Sequence, residues 1–164
     1  MKIVFDASTL ILLAKIELLR EITDEAGVII PEKVKVECLL KKSMDALLIS
    51  TLIKEKKIEV KKVGNMVAIK KIQRDFRIET GETEAFLLAR SLECPLAVDD
   101  GPTIKACKVI GQRFMTAIHF LLNLTTQKKL ELPMATAKLE KLSIYGRYSI
   151  SIIENARKRL KGGN

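Results

Sequence analysis

Short apolar runs alternate with amphipathic, helix-length segments along most of this chain, and that alternation restricts the fold more than any other feature. Lys2 to Phe5 reads as a buried strand closed by Asp6, and Thr9 to Ile22 as a helix with Leu10, Leu13, Ala14 and Leu18 on one stripe. After the break at Gly27, Val28-Ile29-Ile30 is a second strand. Pro31 suits the first turn of a helix in which Val34, Cys38 and Leu39 recur at helical spacing. Asp45 to Ile53 continues as helix, and Lys57 to Val63 alternates charged and apolar residues, as a half-exposed edge strand or connecting segment does. A helix over Met66 to Asp75 leads through a turn at Glu79-Thr80-Gly81 to another from Glu82 to Leu92, where Ala85, Leu88, Ala89 and Leu92 share one face. Beyond Pro95 come the strand Leu96-Ala97-Val98, a helix starting at Gly101-Pro102, the short strand Arg113-Phe114-Met115 and a helix from Ala117 to Leu124. Strands that alternate with helices predict an α/β protein, a three-layer α/β/α sandwich around a mainly parallel sheet of about four to five strands.

At 164 residues and 48% apolar, the sequence is long enough for one compact core and too short for two comfortable ones, so residues 1–164 are expected to form a single domain. No apolar run reaches the ~20 residues of a membrane-spanning helix. Asp6 interrupts the N-terminal apolar run where a cleavable leader needs continuity, so a cytoplasmic protein with no membrane partner is the expectation. Cys38, Cys94 and Cys107 are widely spaced in apolar segments and read as buried thiols. The 29 Lys and Arg exceed the 20 Asp and Glu by 9, an excess that suits a polyanionic partner and also suits adaptation to heat. From about Pro133, two further helices around Tyr145-Gly146-Arg147-Tyr148 form a basic extension. More than half of the net charge lies there, with Arg157, Lys158 and Arg159 as candidate substrate contacts. A solvated, frayed helix is the alternative reading of that tail.

The acidic residues fall where a parallel sheet gathers them. Ligands of an open parallel sheet bind beyond the carboxyl ends of its strands. Asp6 and Asp99 stand at such ends and, because parallel strands share one polarity, they emerge on one edge although far apart in sequence. Glu82 and Glu84 open a helix, whose end can aim both into one space. Clustered carboxylates repel and take up protons unless a cation neutralises them, and Mg²⁺ and Mn²⁺ are hard ions that prefer oxygen ligands. The set therefore suggests divalent metal and a phosphate substrate. Ser8, two residues past Asp6, can steady a carboxylate by hydrogen bond, and Lys105, one turn beyond Asp99-Asp100, can meet a phosphate. Each acid also has a structural reading. Asp6 can cap the following helix, Glu82 and Glu84 can face the positive end of theirs, and Asp99-Asp100 with Gly101-Pro102 makes an ordinary turn. Glu37, inside a helix, is ordinarily solvated, and His119, in the apolar run Ile118-His119-Phe120, reads as a core or interface residue.

Together these residues resemble the PIN-domain metal-dependent nucleases. The likeness lies in Val4-Phe5-Asp6-Ala7-Ser8, in Pro31 to Glu37, in Gly81-Glu82-Thr83-Glu84-Ala85 and in Val98-Asp99-Asp100, in that order over roughly Met1 to Leu130. The G-E-x-E-A form is similar to archaeal and bacterial PIN proteins related to toxin ribonucleases. The resemblance implies Mg²⁺ or Mn²⁺ as cofactor, with Asp6, Glu82, Glu84 and Asp99 as its ligands, Glu37 and Asp100 next, and Ser8 as an orienting group. It also implies RNA as substrate, frequent homodimers and, for toxin members, an antitoxin protein as partner. Many relatives carry Thr or Ser just before the last acidic position, where this chain has Val98, and which of Asp99 and Asp100 binds metal stays open.

Two functions follow from this. One is a divalent-metal-dependent endoribonuclease, a toxin or an RNA-processing enzyme. The other is a catalytically weak PIN fold that serves as an RNA-binding or assembly module. A phosphatase fits less well, because its motif needs a second Asp where Ser8 stands.

Overall fold

β1 (Lys2–Phe5) runs through the middle of the sheet because Ile3, Val4 and Phe5 are apolar in succession, which is what a strand covered on both faces requires. A computed structural model describes residues 1–162 of the chain. It sets four more parallel strands beside β1: β2 (Gly27–Pro31), β3 (Ile58–Lys61), β4 (Leu96–Ala97) and β5 (Phe114–Met115), in the order β3-β2-β1-β4-β5. Val4 pairs with Ile29 on one side and with Leu96 on the other, and Phe5 pairs with Ala97. The alternating segment Lys57 to Val63 supplies the edge strand β3.

The connections are α1 (Ala7–Lys15) and α2 (Leu19–Glu25), α3 (Glu32–Leu39) and α4 (Met44–Lys54), α5 (Met66–Phe76) and α6 (Thr80–Ser91), and α7 (Gly101–Ile110). The first two crossovers step outward from β1 to β2 and β3, whereas the third jumps back to β4 and the fourth continues to β5. With right-handed crossovers, that reversal puts α1–α4 on one face and α5–α7 on the other. The helix contacts agree, since α1 meets α3 and α4 while α6 meets α5 and α7. This is the three-layer α/β/α architecture expected from the sequence, parallel throughout. Its strand order reverses between β1 and β4, at the carboxyl ends where Asp6 and Asp99 lie.

Two boundaries differ from the sequence reading. The expected helix Thr9 to Ile22 is two helices, broken after Lys15. Glu17 takes φ 59° there, its N–H donates to the Ala14 carbonyl and that of Leu18 to Leu13, while Ile16 and Leu18 turn into the core. This is a Schellman stop made without glycine, so no residue announces it. The expected turn at Thr80-Gly81 is instead the first turn of α6. Glu79 stays extended as the cap, and its N–H donates to Glu82 Oε2 at 2.9 Å, half of a capping box.

The contacts divide the chain into two compact units, Met1–Met115 and the remainder from Thr116. The second consists of α8 (Ala117–Thr126), α9 (Leu132–Tyr145) and α10 (Ile150–Leu160), which touch one another pairwise. Arg157 of α10 ties that unit together, bonding Glu140 of α9 at 2.7 Å and Glu154 one turn back on its own helix. Among the described residues, no helix is long and apolar enough to cross a membrane.

Candidate metal centre

Asp6 leaves β1 and becomes the cap of α1, fully buried. Its own N–H donates to the Ala97 carbonyl at 3.0 Å, which stitches it to the end of β4. Oδ1 accepts the Thr9 N–H and Oδ2 accepts the Ser8 hydroxyl, both at 2.8 Å. The same Thr9 then reaches across the strand boundary, and its hydroxyl donates to Asp99 Oδ2 at 2.9 Å. One buried threonine therefore holds two carboxylates that are 93 residues apart in the chain by its backbone and its side chain respectively, since 99 − 6 = 93. Burial pushes the Asp6 carboxyl up to about 7, the nearby Asp99 charge adds to the rise, and the bonds from Thr9 and Ser8 oppose it.

A second set of acids surrounds the first turn of α6. Glu37 projects from α3, and its carboxylate lies against Gly81. A Cβ at that glycine would come within 2.5 Å of Glu37 Oε1 and closer still to Oε2, so only glycine admits this approach. α3 and α6 meet here although they cover opposite faces of the sheet. Burial raises the Glu37 carboxyl, Lys33 lowers it, and Glu79 and Glu84 raise it further. The Glu82 carboxyl is also raised, first by burial, then by Asp100, with Glu79 and Glu37 adding. Glu84 is raised by burial and opposed by the backbone and ammonium of Lys33, so it faces the first turn of α3. Asp100 serves as the cap of α7, its Oδ2 accepting the Thr103 N–H at 2.9 Å and hydroxyl at 2.7 Å.

The sequence candidates thus divide. Asp6, Ser8 and Asp99 come together under Thr9. Glu37, Glu82 and Asp100 share one negative neighbourhood with Glu79, and Glu84 turns toward Lys33. Of the neighbours Asp99 and Asp100, the first joins Asp6 through Thr9 and the second holds a helix end. Lys105 is exposed on α7, and Lys158 and Arg159 are exposed on α10, while Arg157 is taken up by Glu140 and Glu154. His119 is exposed rather than buried in a core. It follows the α8 cap Thr116, and its Nδ1 accepts the Thr116 N–H at 3.2 Å. Cys38, Cys94 and Cys107 are all buried, as expected. Burial, then the charge of Asp6, pushes the Cys38 thiol up to about 12 and that of Cys107 up to about 11, so neither is a nucleophile near neutral pH.

Sequence reasoning missed Thr9 as a site residue, and read Glu79 and Gly81 as a turn and Gly81 as a motif position without their contacts to Glu82 and Glu37. Thr9 had a visible signal, since Asp6 with a residue three positions on is the spacing of a helix cap. Its reach to Asp99 depends on β1 lying beside β4, which only the fold reveals.

The donors are all oxygen, the chemistry a hard divalent ion takes. Among the described residues, no three His, Cys, Asp or Glu side chains converge closely enough to share one ion. The Asp6–Asp99 pair nonetheless fits an ion of the Mg²⁺ kind, which keeps several waters and takes one or two protein carboxylates besides phosphate oxygens. In comparison with known families, a model described as a PIN domain matches residues 2–161. No curated protein matches the chain significantly in sequence.

Proposed function

The chain belongs to the PIN-domain family, a family of nuclease type, and from that premise we propose that it is a divalent-metal-dependent endoribonuclease. The observation that carries this reading is the Asp6–Asp99 pair bridged by Thr9, with Asp6 buried and Asp99 half-exposed at the point where the strand order reverses. Asp6 presents its oxygens in an orientation fixed by the Thr9 N–H and the Ser8 hydroxyl. Asp99 is held by the Thr9 hydroxyl, so the two carboxylates keep their separation without rearranging. A bound Mg²⁺ or Mn²⁺ supplies positive charge to the phosphodiester and acidity to the attacking water. Glu82 extends the ligand set from the first turn of α6, with Glu37 and Asp100 behind it and Glu84 acting through Lys33 and Glu37. The whole chain works as one domain in this reading, with the basic α9–α10 segment as its extension.

Cleavage of labelled RNA by the purified protein tests the proposal. Hydrolysis should require Mn²⁺ or Mg²⁺, and Asp6→Asn should lose it while keeping the folded circular dichroism spectrum. Full activity in excess chelator, or in that variant, rejects the assignment. A second reading has its own support: among the described residues no three donors converge, which suits an RNA-binding module with weak catalysis. RNA that is bound but left uncut with Mn²⁺ favours that reading. A toxin role with an antitoxin partner, and a homodimer, rest on family likeness alone. Growth arrest on expression, relieved by a neighbouring gene, tests the first and sedimentation tests the second.

A further inference from the structure

We propose that the outer face of α5 is a track for the phosphate backbone of single-stranded RNA, leading the strand to the carboxylates of α6 and α7. This rests on the RNA-directed reading above. Lys70, Lys71, Arg74 and Arg77 are all exposed, and they face a single acid on the same segment, Asp75, which pairs with Arg74 at 3.2 Å. Lys70 and Arg74 stand four apart and share a face, and Arg77 extends the row as the residue that caps the helix. Seven residues at 1.5 Å each give the row a length of about 10 Å. One narrow row of cations matches one backbone, not the two of a duplex.

Its position ties this row to the site. α5 packs on both α6 and α7, and Gln73 Nε2 donates to the hydroxyl of Thr80, the first residue of α6, at 2.9 Å. Glu82 lies two residues further along α6, and Asp100 caps α7. The acids around Gly81 repel a polyanion, so a strand reaching them needs cations alongside. None of the four residues is needed for the core, since Ile69 alone on α5 is fully buried.

The test is the triple variant Lys70→Ala, Arg74→Ala, Arg77→Gly, compared with Lys54→Ala, Lys56→Gly, which removes charge from the end of α4, beyond the amino ends of the strands. Alanine keeps the exposed helix, and glycine suits the left-handed φ of 55° at Arg77 and 59° at Lys56, so both variants should fold. Binding of fluorescein-labelled single-stranded RNA is followed by anisotropy in chelator over a range of KCl concentrations. The α5 variant should bind about tenfold more weakly or worse, and the slope of log affinity against log salt should flatten by about 2, three contacts at roughly 0.7 each. The α4 variant should stay within about twofold of wild type. Unchanged affinity and slope in the α5 variant, equal loss in the α4 variant, equal affinity for the matched duplex, or no binding by wild type each overturns the track. Cleavage is scored separately with Mn²⁺. RNA bound through α5 but never cut removes the ribonuclease reading and keeps the track, whereas cutting with α5-independent binding does the reverse.

Discussion

The carboxyl edge of the sheet carries two acidic regions that differ in how they hold their charge. At the switch between β1 and β4, Asp6 is fully buried, and all of its oriented bonds come from Ser8 and Thr9, the latter also holding Asp99. Around the first turn of α6, Glu82 and Asp100 are half-exposed like Asp99, each holds the end of its own helix, and among the described residues neither joins two strand ends by a hydrogen bond. Burial leaves Asp6 with a raised carboxyl, because it penalises the anion more than the bonds from Thr9 and Ser8 relieve it. At the rim burial again comes first, with Asp100 raising Glu82 and with Glu79 and Glu84 raising Glu37, beside water. A fold can place acids at a helix start for capping alone, as it does at Asp100. Asp6 also caps α1, but the half-exposed Asp99 is tied to it through Thr9 while Asp100, its neighbour, caps α7, and that link between two strand ends is why the proposed chemistry centres on the pair.

Replacing the two adjacent aspartates separates the regions most sharply. Asp99→Asn should lower metal-dependent RNA cleavage by at least about a hundredfold, more than loss of a merely supporting partner costs. Asp100→Asn should stay within about threefold, because asparagine caps a helix as well as aspartate does. Similar losses in both variants would erase the distinction between pair and rim.

Stability against pH probes the same contrast without substrate. The Asp6 carboxyl lies at about 7 in the folded chain against an ordinary 3.8, so between those values the folded protein holds a proton that the unfolded chain has released. Its contribution is complete below pH 3.8 and is lost as pH rises through 7, amounting to up to about 4 kcal/mol. Urea unfolding in chelator should show this decline, and Asp6→Asn should flatten it. Mn²⁺ should restore stability above pH 7 in wild type and not in that variant. Thr9→Val is expected to have a smaller effect. It keeps the N–H bonded to Asp6 and removes the hydroxyl that donates to Asp99 and also favours the Asp6 anion, which should cost about 1–3 kcal/mol of stability and ten- to a hundredfold in cleavage.

What could be read in the sequence follows the range over which each feature is specified. Asp6 and Asp99 were legible because an apolar run ending in an acid marks a strand end locally, and parallel strands then bring such ends to one edge. The order of the strands was not, since it depends on long-range packing, and with it went the reach of Thr9 from Asp6 to Asp99. The break after Lys15 was hidden because its left-handed residue is Glu17, where a glycine would have marked the stop. Gly81 invited the opposite error: glycine suggested a turn, whereas its lack of a side chain is used to admit the Glu37 carboxylate into a helix. His119 sits between Ile118 and Phe120, yet at a cap the helix turns it outward.

Gly81→Ala has the smallest expected effect on stability, and it decides what Glu37 does. The new methyl group would occupy the space of the Glu37 carboxylate, but that group ends a flexible side chain and can swing away at little cost. Exchanging glycine for alanine inside a helix gains up to about 1 kcal/mol, so the net change in unfolding free energy should stay within about 1 kcal/mol of zero. The position of Glu37 is what changes. If Glu37 belongs to the working rim, cleavage should drop by about tenfold, and Gly81→Ala should add nothing in a Glu37→Gln background, because both substitutions remove the same contact. Unchanged cleavage in Gly81→Ala would make Glu37 a solvated acid after all, and would confine the working site to the Asp6–Asp99 pair and Glu82.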